Sequence, residues 1–379
     1  MKHVLYLPGW FPSRRDLYSG DFIRRHAEAA SIYNRITVFF TTVDNKIKKP
    51  EITKEIVNEN LSVYIFYYPA KKGVLSPVLN GVKRFTALRK MYTQVFETFV
   101  PDLVHVHVAY PAGLFALYLK KRKKLDYIIT EHNTIYIPND NNKYEPGNFE
   151  RKMTPVIYKN SRKIHAVSNT LANSLKELKL ASGPVIIPNV VNTEVFNYKE
   201  KGRGRDFHFI HVSSLIHQKN PEGMLEALSL VKSIRNDFVV KIIGPAKKEL
   251  INMAKKLSLS DNVDFLGEIS YENVAKEINE SDAMIHFTRF ETFGCVIAES
   301  LCCGVPVIVS DLDVTRELVT DHVDGLFVIK DDIQDLAEKI LLFMSEGIRL
   351  EPKSIANENH EKFNYNRIGK KFDDLYRSL

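Results

Sequence analysis

The stretch from Ala283 to Ser310, AMIHFTRFETFGCVIAESLCCGVPVIVS, constrains the fold of this chain more than any other. Its first apolar run, Ala283–Phe287, predicts a buried parallel strand. Gly294 permits a tight turn, and the apolar spacing from about Cys295 predicts a helix. Val305–Val309 then predicts the next strand. A strand, turn, helix and strand in this order indicate an α/β sheet whose ligands bind at the strand ends.

Two carboxylates, Glu291 and Glu299, flank the turn of this unit. Glu291 lies at the predicted C-terminal end of its strand, and the N–H groups that begin the following helix can bind a phosphate or a sugar hydroxyl. Their separation alone is not diagnostic, because Glu51 and Glu59 share it on a surface predicted to be solvated, as do two other pairs. The alternative is that Glu291 complements the helix dipole and that Glu299 is merely exposed.

Length and composition predict a soluble protein of two domains. A chain of 379 residues exceeds one ordinary core, and 44% hydrophobic with 26% charged residues is typical of globular proteins. No apolar run approaches the roughly 20 residues that span a bilayer, and the N-terminus resembles a first strand more than a signal peptide. The three cysteines form neither a disulfide framework nor a metal-ligand pattern, so we expect a cytoplasmic protein.

The net charge of +7 is distributed unevenly. Residues 1–190 hold 29 Lys and Arg against 15 Asp and Glu, a balance of +14, whereas residues 191–379 hold 24 against 31, a balance of −7. Gly81–Val100 predicts a long basic helix, and Lys120–Lys124 predicts a basic solvated loop. No nucleic-acid-binding motif accompanies these charges, so an anionic membrane surface is the better candidate partner. A basic surface that serves only solubility is the alternative.

Polar residues follow two predicted strands in the first half. Gly20 and Asp21 open a helix, with Asp21 as the expected N-cap. The strand Tyr127–Thr130 leads to His132, which we expect to face the ligand edge. The polar segment Asn133–Gly147 that follows predicts a mobile, acceptor-binding lid.

One strand, Leu103–Val108, places His105 and His107 on the same side. Paired histidines suggest zinc, but no third or fourth ligand follows at a useful spacing. We therefore predict no metal and no cofactor.

The unit around Glu291 and Glu299 resembles the E-x7-E motif of the retaining glycosyltransferases of family 4, which have the GT-B fold. The resemblance implies an α/β architecture of two Rossmann-like domains that face each other across a cleft. Residues 1–190 would form the acceptor-side domain, with a C-terminal helix at about 362–379 packing back on it. Residues 191–361 would bind the nucleotide-sugar donor.

The same resemblance assigns roles to individual residues. Glu291 would contact the donor sugar, and Glu299 would hold the ribose hydroxyls of the nucleotide. The leaving diphosphate would be stabilised by Lys219 and by the backbone amides of three residues, Phe293, Gly294 and Cys295.

Three further positions match the family pattern in whole or in part. His132 matches a histidine that contacts the transferred sugar. Ser19-Gly20 stands where many relatives carry two glycines near the donor phosphates, so Gly20 is a donor-binding candidate. In the loop that usually contains G-R-L-x-x-x-K, Lys219 matches but Ser214 replaces the arginine. Ser214 stays a donor-binding candidate, because its hydroxyl and the backbone N–H groups can still bind phosphate, with less positive charge for the diphosphate.

The resemblance implies a retaining, metal-independent hexosyltransferase. Its donor would be a nucleotide-diphosphate-sugar and its acceptor a glycan or lipid-linked molecule, as in bacterial cell-surface polysaccharide or lipopolysaccharide synthesis. Such a protein would be cytoplasmic or peripheral on the inner face of the plasma membrane. Two alternatives stay open: a sugar-nucleotide epimerase of the same fold, and a catalytically impaired protein that only binds nucleotide-sugars.

Overall fold

The chain divides into two units in the computed structural model, which describes residues 1–71, 73, 75–138, 147–200, 202, 206–346 and 351–379. The first unit comprises Met1–Val190 and Tyr365–Leu379, and the second comprises Val191–Asn364. Each unit is a largely parallel sheet with helices, so the predicted α/β class is confirmed. Most of the predicted lid, residues 139–146, lies outside the described residues.

Parallel strands build the sheet of the first unit, with one antiparallel strand at its edge. The spatial order is β3-β4-β2-β1-β5-β6-β7-β8, and β3 runs antiparallel to β4. The strands at the centre are buried along almost their whole length, as continuous apolar runs predict. The strands are β1 (His3–Pro8), β2 (Arg35–Val43), β3 (Glu51–Asn58), β4 (Leu61–Tyr68), β5 (Leu103–His107), β6 (Tyr127–Glu131), β7 (Ile164–Ala166) and β8 (Val185–Ile186).

Helices connect these strands, and two of them differ from the sequence prediction. The helices are α1 (Asp21–Ser31), α2 (Ser76–Val95), α3 (Gly113–Lys123), α4 (Asn148–Asn160) and α5 (Asn169–Glu177). Helix α2 begins five residues before the predicted Gly81, because Pro77 supplies a favourable first turn. Lys120–Lys123 form the last turn of α3 and not a loop, since cations are favoured at a helix C-terminus.

The C-terminal helix, Tyr365–Arg377, belongs to the first unit and packs on α1. A Cβ atom on Gly369 would lie 2.2 Å from the carbonyl oxygen of Ala29, so only glycine allows this approach. The hydroxyls of Tyr6 and Tyr376 lie 2.5 Å apart in the core. The end of the chain therefore completes the core of the first unit.

A six-stranded parallel sheet forms the second unit, in the order β11-β10-β9-β12-β13-β14. Its apolar core is built from the strand faces and from the inner faces of α6 and α11. The strands are β9 (Phe207–Val212), β10 (Phe238–Ile243), β11 (Val263–Gly267), β12 (Ala283–His286), β13 (Val307–Ser310) and β14 (Gly325–Val328). The helices are α6 (Pro221–Lys232), α7 (Lys248–Lys256), α8 (Tyr271–Asn279), α9 (Cys295–Cys302), α10 (Asp313–Arg316), α11 (Ile333–Glu346) and α12 (Pro352–Phe363). Among the helices described in both units, none combines the length and apolar character needed to cross a bilayer.

Candidate functional site

Lys219 and Glu291 form an ion pair in the second unit. Glu291 follows β12, and its carboxylate oxygen Oε2 contacts the ammonium nitrogen of Lys219 directly. Glu291 is only 8% exposed, and its other oxygen, Oε1, accepts a hydrogen bond from the amide of Thr292 over 3.1 Å. The structure thus brings together two predicted site residues that are 72 positions apart in the chain.

The charge state of Glu291 follows from this pairing. Burial is the largest single influence and would raise the pKa of its carboxyl, but the charge of Lys219 and the hydrogen bonds from His286 and Lys219 together outweigh it, so the pKa lies well below its usual value. His286 contributes in the same direction, with its Nε2 atom 3.6 Å from Oε2 of Glu291. The pKa of His286 itself is lowered, first by burial. Glu291 is therefore ionised at neutral pH.

Backbone and side-chain contacts hold the loop of Lys219 against the loop of Glu291. Lys219 ends a 3-10 turn that precedes α6. The side-chain amide of Gln218 donates a hydrogen bond of 2.8 Å to the backbone carbonyl of Phe290. The backbone carbonyl of Gln218 accepts one of 2.8 Å from the amide of Arg289. Arg289 also donates to the carbonyl of His217 and pairs with Asp331 over 2.9 Å. These contacts hold the two loops together.

Glu299 lies on the buried face of α9. It is 4% exposed, and its Oε1 accepts a hydrogen bond of 2.7 Å from the hydroxyl of Tyr271, at the start of α8. The alternative in which Glu299 is simply a solvent-exposed residue is therefore wrong. A buried carboxylate with a hydroxyl donor already in place is suited to binding further hydroxyls.

The turn between the two carboxylates has the predicted geometry. Gly294 precedes α9 with a φ of 88°, which favours glycine. Phe293 is buried with its ring edge-on to that of Phe363, and Cys295 is the first residue of the helix. The amides of this turn open α9, where an anion is favoured. Ser214 is exposed, in the loop that follows β9.

Gly20 has a structural role in the first unit. It adopts a φ of 72°, and a Cβ atom there would lie 2.6 Å from the backbone of Trp10. The prediction that Asp21 caps α1 is wrong, because Gly20 occupies the N-cap position. Asp21 is instead the first helical residue, and it pairs with Arg25 one turn later over 2.9 Å.

His132 follows β6 as predicted, but its ring turns into the first unit and is only 5% exposed. Its Nε2 atom lies 3.2 Å from Nδ1 of His107, and it packs on Phe22 with ring centroids 4.8 Å apart. The buried carboxylate of Glu131 holds the backbone of this segment, accepting from the amides of His132 and Asn133 over 2.9 and 3.0 Å. Burial raises the pKa of Glu131.

Sequence reasoning missed several residues of these two regions. His286 is an unremarkable apolar-strand residue in the sequence, and Arg289 and Asp331 follow no motif. The sequence patterns assign no role to Glu131 beside His132, although a carboxylate inside an apolar strand is itself a signal of a functional or structural role. Short sequence spacing predicts no metal site around His107, whereas the structure brings His26 and His132 to it from separate elements.

Comparisons with known proteins agree with this architecture. A family model described as glycosyl transferases group 1 matches residues 194–365, and one described as glycosyltransferase family 4 matches residues 35–195. An uncharacterized glycosyltransferase of Methanocaldococcus jannaschii is 29% identical over 326 residues, which is 85% of this chain and 87% of that protein.

Two solved structures are similar over essentially their whole length. Sucrose-phosphate synthase of Thermosynechococcus elongatus has a TM-score of 0.80 at 17% identity, covering 100% of this chain and 99% of that one. The HepE protein of Anabaena, solved with UDP and glucose, has a TM-score of 0.76 at 16% identity and covers 100% of both chains.

Proposed function

We propose that this chain, which belongs to the group 1 glycosyltransferases of GT-B fold, transfers a hexosyl group from a nucleotide-diphosphate-sugar with retention of the anomeric configuration. The acceptor is a hydroxyl of a glycan or of a lipid-linked molecule in cell-surface polysaccharide or lipopolysaccharide synthesis. The observation that carries the proposal is the Lys219–Glu291 pair beside the N-terminus of α9.

Each group at this pair has a task in the transfer. The bond between the sugar C1 and the diphosphate oxygen breaks, and negative charge develops on the leaving diphosphate. Lys219 and the amides of Phe293–Cys295 stabilise that charge, so the transfer itself needs no metal. The acceptor hydroxyl oxygen bonds to C1 on the face that the diphosphate leaves, and its proton passes to a phosphate oxygen.

The ion pair has a second consequence for the donor. In the free protein the Lys219 ammonium pairs with Glu291. When the diphosphate binds, the Lys219 ammonium also contacts a phosphate oxygen. The ionised Glu291 then becomes available to accept a hydrogen bond from a sugar hydroxyl. Because both groups are already desolvated and positioned, little reorganisation is needed during the reaction. Glu299 holds the ribose hydroxyls alongside Tyr271.

His132 and Gly20 complete the proposed set of site residues, from the first unit. His132 contacts the transferred sugar, which requires its ring or that of Phe22 to move, since both its nitrogens are buried in the free protein. Gly20 acts through the backbone, by fixing the loop before α1 against Trp10.

Turnover with a panel of nucleotide-sugars tests the transferase. UDP-hexoses come first, because the similar HepE structure contains UDP and glucose. Release of nucleoside diphosphate should require an added glycan or lipid-linked acceptor, and NMR of the product should show the donor's anomeric configuration. Conversion of the donor sugar without acceptor would identify an epimerase. Tight donor binding without turnover on any acceptor would identify a binding protein, the outcome that Ser214 in place of arginine permits.

We also propose that the protein attaches to an anionic membrane surface. An exposed apolar and basic surface on α2 supports this attachment. Four apolar residues at the start of this helix lie open to solvent, Leu75, Val78, Leu79 and Val82, and Leu75 is 69% exposed. Arg89 and Lys90 are exposed further along α2, and Lys121–Lys124 are exposed at the end of α3. Phe85 is not part of this surface, because its ring packs edge-on against Phe115.

Vesicle sedimentation tests this attachment. Each basic residue near an anionic surface contributes on the order of 1 kcal/mol, and buried apolar side chains add to it. We expect binding to vesicles that contain anionic lipid, weaker binding as salt rises, and a loss when Val78 and Val82 are both changed to Ser. A protein that stays in the supernatant with anionic vesicles at low salt would refute the attachment but not the transfer reaction.

A further inference from the structure

Three buried histidines converge in the first unit from three separate elements. His26 lies on α1, His107 ends β5, and His132 follows β6. One ring nitrogen from each lies within 4.8 Å of the other two, and the closest pair, Nδ1 of His107 and Nε2 of His132, is 3.2 Å apart. His26 and His107 are fully buried.

The hydrogen bonds of these three rings are incomplete. Both ring nitrogens of His26, Nε2 of His107 and Nδ1 of His132 are buried without a well-formed hydrogen bond, although the backbone of Pro188 lies close enough to His26 to affect its pKa. A buried polar atom without a partner is unfavourable, so such a cluster calls for an explanation. All three histidines thus retain an unused ring nitrogen, and the mutual contact of His107 and His132 through Nδ1 and Nε2 is one that a shared cation could replace.

Two neighbouring histidines show how this core satisfies a histidine that has no ligand to bind. His105 has Nδ1 at 2.8 Å from the hydroxyl of Tyr376 and Nε2 at 2.5 Å from Thr130. His165 has Nδ1 at 2.6 Å from Thr130 and Nε2 at 2.6 Å from the carbonyl of Ile187. Within one cluster, two rings are hydrogen-bonded at both nitrogens, whereas His107 and His132 bond only to each other, through Nδ1 and Nε2, and His26 has no well-formed hydrogen bond.

The spacing and the chemistry of the three rings suit a transition metal. With Zn–N distances of about 2.0–2.1 Å, tetrahedral geometry places ligand nitrogens about 3.3–3.4 Å apart. The 3.2 Å between His107 and His132 is close to this value, and His26 needs an adjustment on the order of 1 Å. Burial keeps all three imidazoles neutral, which is the form that binds a metal. The buried carboxyl group of Glu131 accepts a hydrogen bond of 2.9 Å from the His132 amide and so fixes the backbone of this ligand.

We propose that His26, His107 and His132 bind one divalent transition-metal ion of the class that prefers imidazole, with Zn²⁺ as the first choice and a water as fourth ligand. The ion lies in the first unit and takes no part in breaking the bond to the diphosphate, for which the proposed function uses Lys219 and the turn before α9. The proposed contact of His132 with the sugar is then made through Nδ1, the nitrogen that the ion leaves unused. The proposal departs from the sequence prediction of no metal, because the third ligand, absent at short spacing, is supplied by the fold.

The test uses the full chain stripped with a chelator, and titrated with Zn²⁺ or Co²⁺ alone. Calorimetry and elemental analysis should find one tightly bound Zn²⁺ per chain. Co²⁺ should give the intense visible absorption of a four-coordinate site. At roughly a hundredfold excess over the dissociation constant, Zn²⁺ should raise the melting temperature by on the order of 5–10 °C.

Matched variants locate the ion. His26→Gln and His107→Gln should each weaken Zn²⁺ binding at least tenfold and abolish the four-coordinate Co²⁺ spectrum. His165→Gln removes an equally buried histidine of the same cluster whose nitrogens are both bonded, and it should keep the site. If a glutamine variant does not fold, His26→Cys retains a ligand and should add a thiolate-to-Co²⁺ band. A wild type without stoichiometric binding, or a His26→Gln variant that binds as tightly as wild type, would overturn the proposal.

Discussion

The hydroxyl of Tyr271 donates a hydrogen bond of 2.7 Å to Oε1 of Glu299, so one oxygen of this buried carboxylate is occupied before any nucleotide binds. The hydroxyl comes from the first residue of α8 and the carboxylate from the middle of α9. This contact orients Glu299 in the proposed donor site, where its carboxylate would accept hydrogen bonds from the ribose hydroxyls.

The first prediction concerns Glu299→Gln, which should weaken binding of the nucleoside diphosphate by roughly tenfold. An ionised acceptor becomes a neutral one, and hydrogen bonds to charged groups contribute about 1.5–3 kcal/mol. Calorimetry with UDP measures the change. Glu272→Gln is the matched control, because Glu272 is exposed on α8. Equal affinities for wild type and Glu299→Gln would exclude the ribose role.

Glu291→Gln should instead lower kcat by at least roughly tenfold, while the affinity for UDP changes little. The carboxylate is proposed to contact the sugar, which UDP lacks, and a loss of about 1.4 kcal/mol of transition-state stabilisation gives a tenfold effect. Steady-state kinetics and calorimetry on the same preparation separate the two quantities. A parallel loss of kcat and of UDP affinity would contradict the division of tasks between Glu291 and Glu299.

Arg289→Gln should raise the KM for the donor about 1.5- to fivefold, with a smaller change in kcat. Arg289 is 21% exposed and ties Asp331 and the His217 carbonyl to the loop of Glu291, so its loss loosens the position of Lys219. The range corresponds to the roughly 0.2–1 kcal/mol of a partly exposed pair. Arg235→Gln is the control, since Arg235 pairs with Asp237 and contacts the Met344 carbonyl, away from both loops. An unchanged donor KM in Arg289→Gln would show that the two loops keep their positions without the contacts of Arg289.

The fourth prediction is that the free energy of unfolding falls as the pH is lowered, in part because His165 is protonated in the unfolded chain and not in the folded one. Burial lowers the pKa of His165 from 6.5 to about 4. The unfolded chain therefore binds a proton between pH 6.5 and 4 that the folded chain does not, so this contribution is fully present above pH 6.5 and is lost as the pH falls. The full loss is roughly 3 kcal/mol, about half of it by pH 5.

Urea unfolding at several pH values between 6.5 and 5 measures this effect. The wild-type free energy of unfolding should fall more steeply than that of His165→Gln, by roughly 1.5 kcal/mol over that interval. His322→Gln is the control, because His322 is an exposed histidine outside the buried cluster. Identical slopes for wild type and His165→Gln would show that His165 is not held neutral.

The short-range patterns of the chain predicted its elements well where apolar runs were continuous. The strand expected at Ala283–Phe287 is found at Ala283–His286, and the helix expected from about Cys295 begins there. The pattern failed at element ends. Asp21 was expected outside α1 and lies inside it, since the positive φ of Gly20 provides the turn. End positions depend on backbone contacts, such as that between Gly20 and Trp10, which the pattern of apolar residues does not contain.

The sequence by itself determined the α/β class, the β12–α9 unit with its two carboxylates, and the resemblance that led to the group 1 glycosyltransferases. All of these depend on residues that are close together in the chain, where strand and helix periodicity act. Only the tertiary structure decided that Lys219 pairs with Glu291 across 72 positions, and that His26, His107 and His132 meet. Parallel strands bring distant segments to one edge of a sheet, and the register and burial that select the contacting side chains are set by the packing of the whole unit.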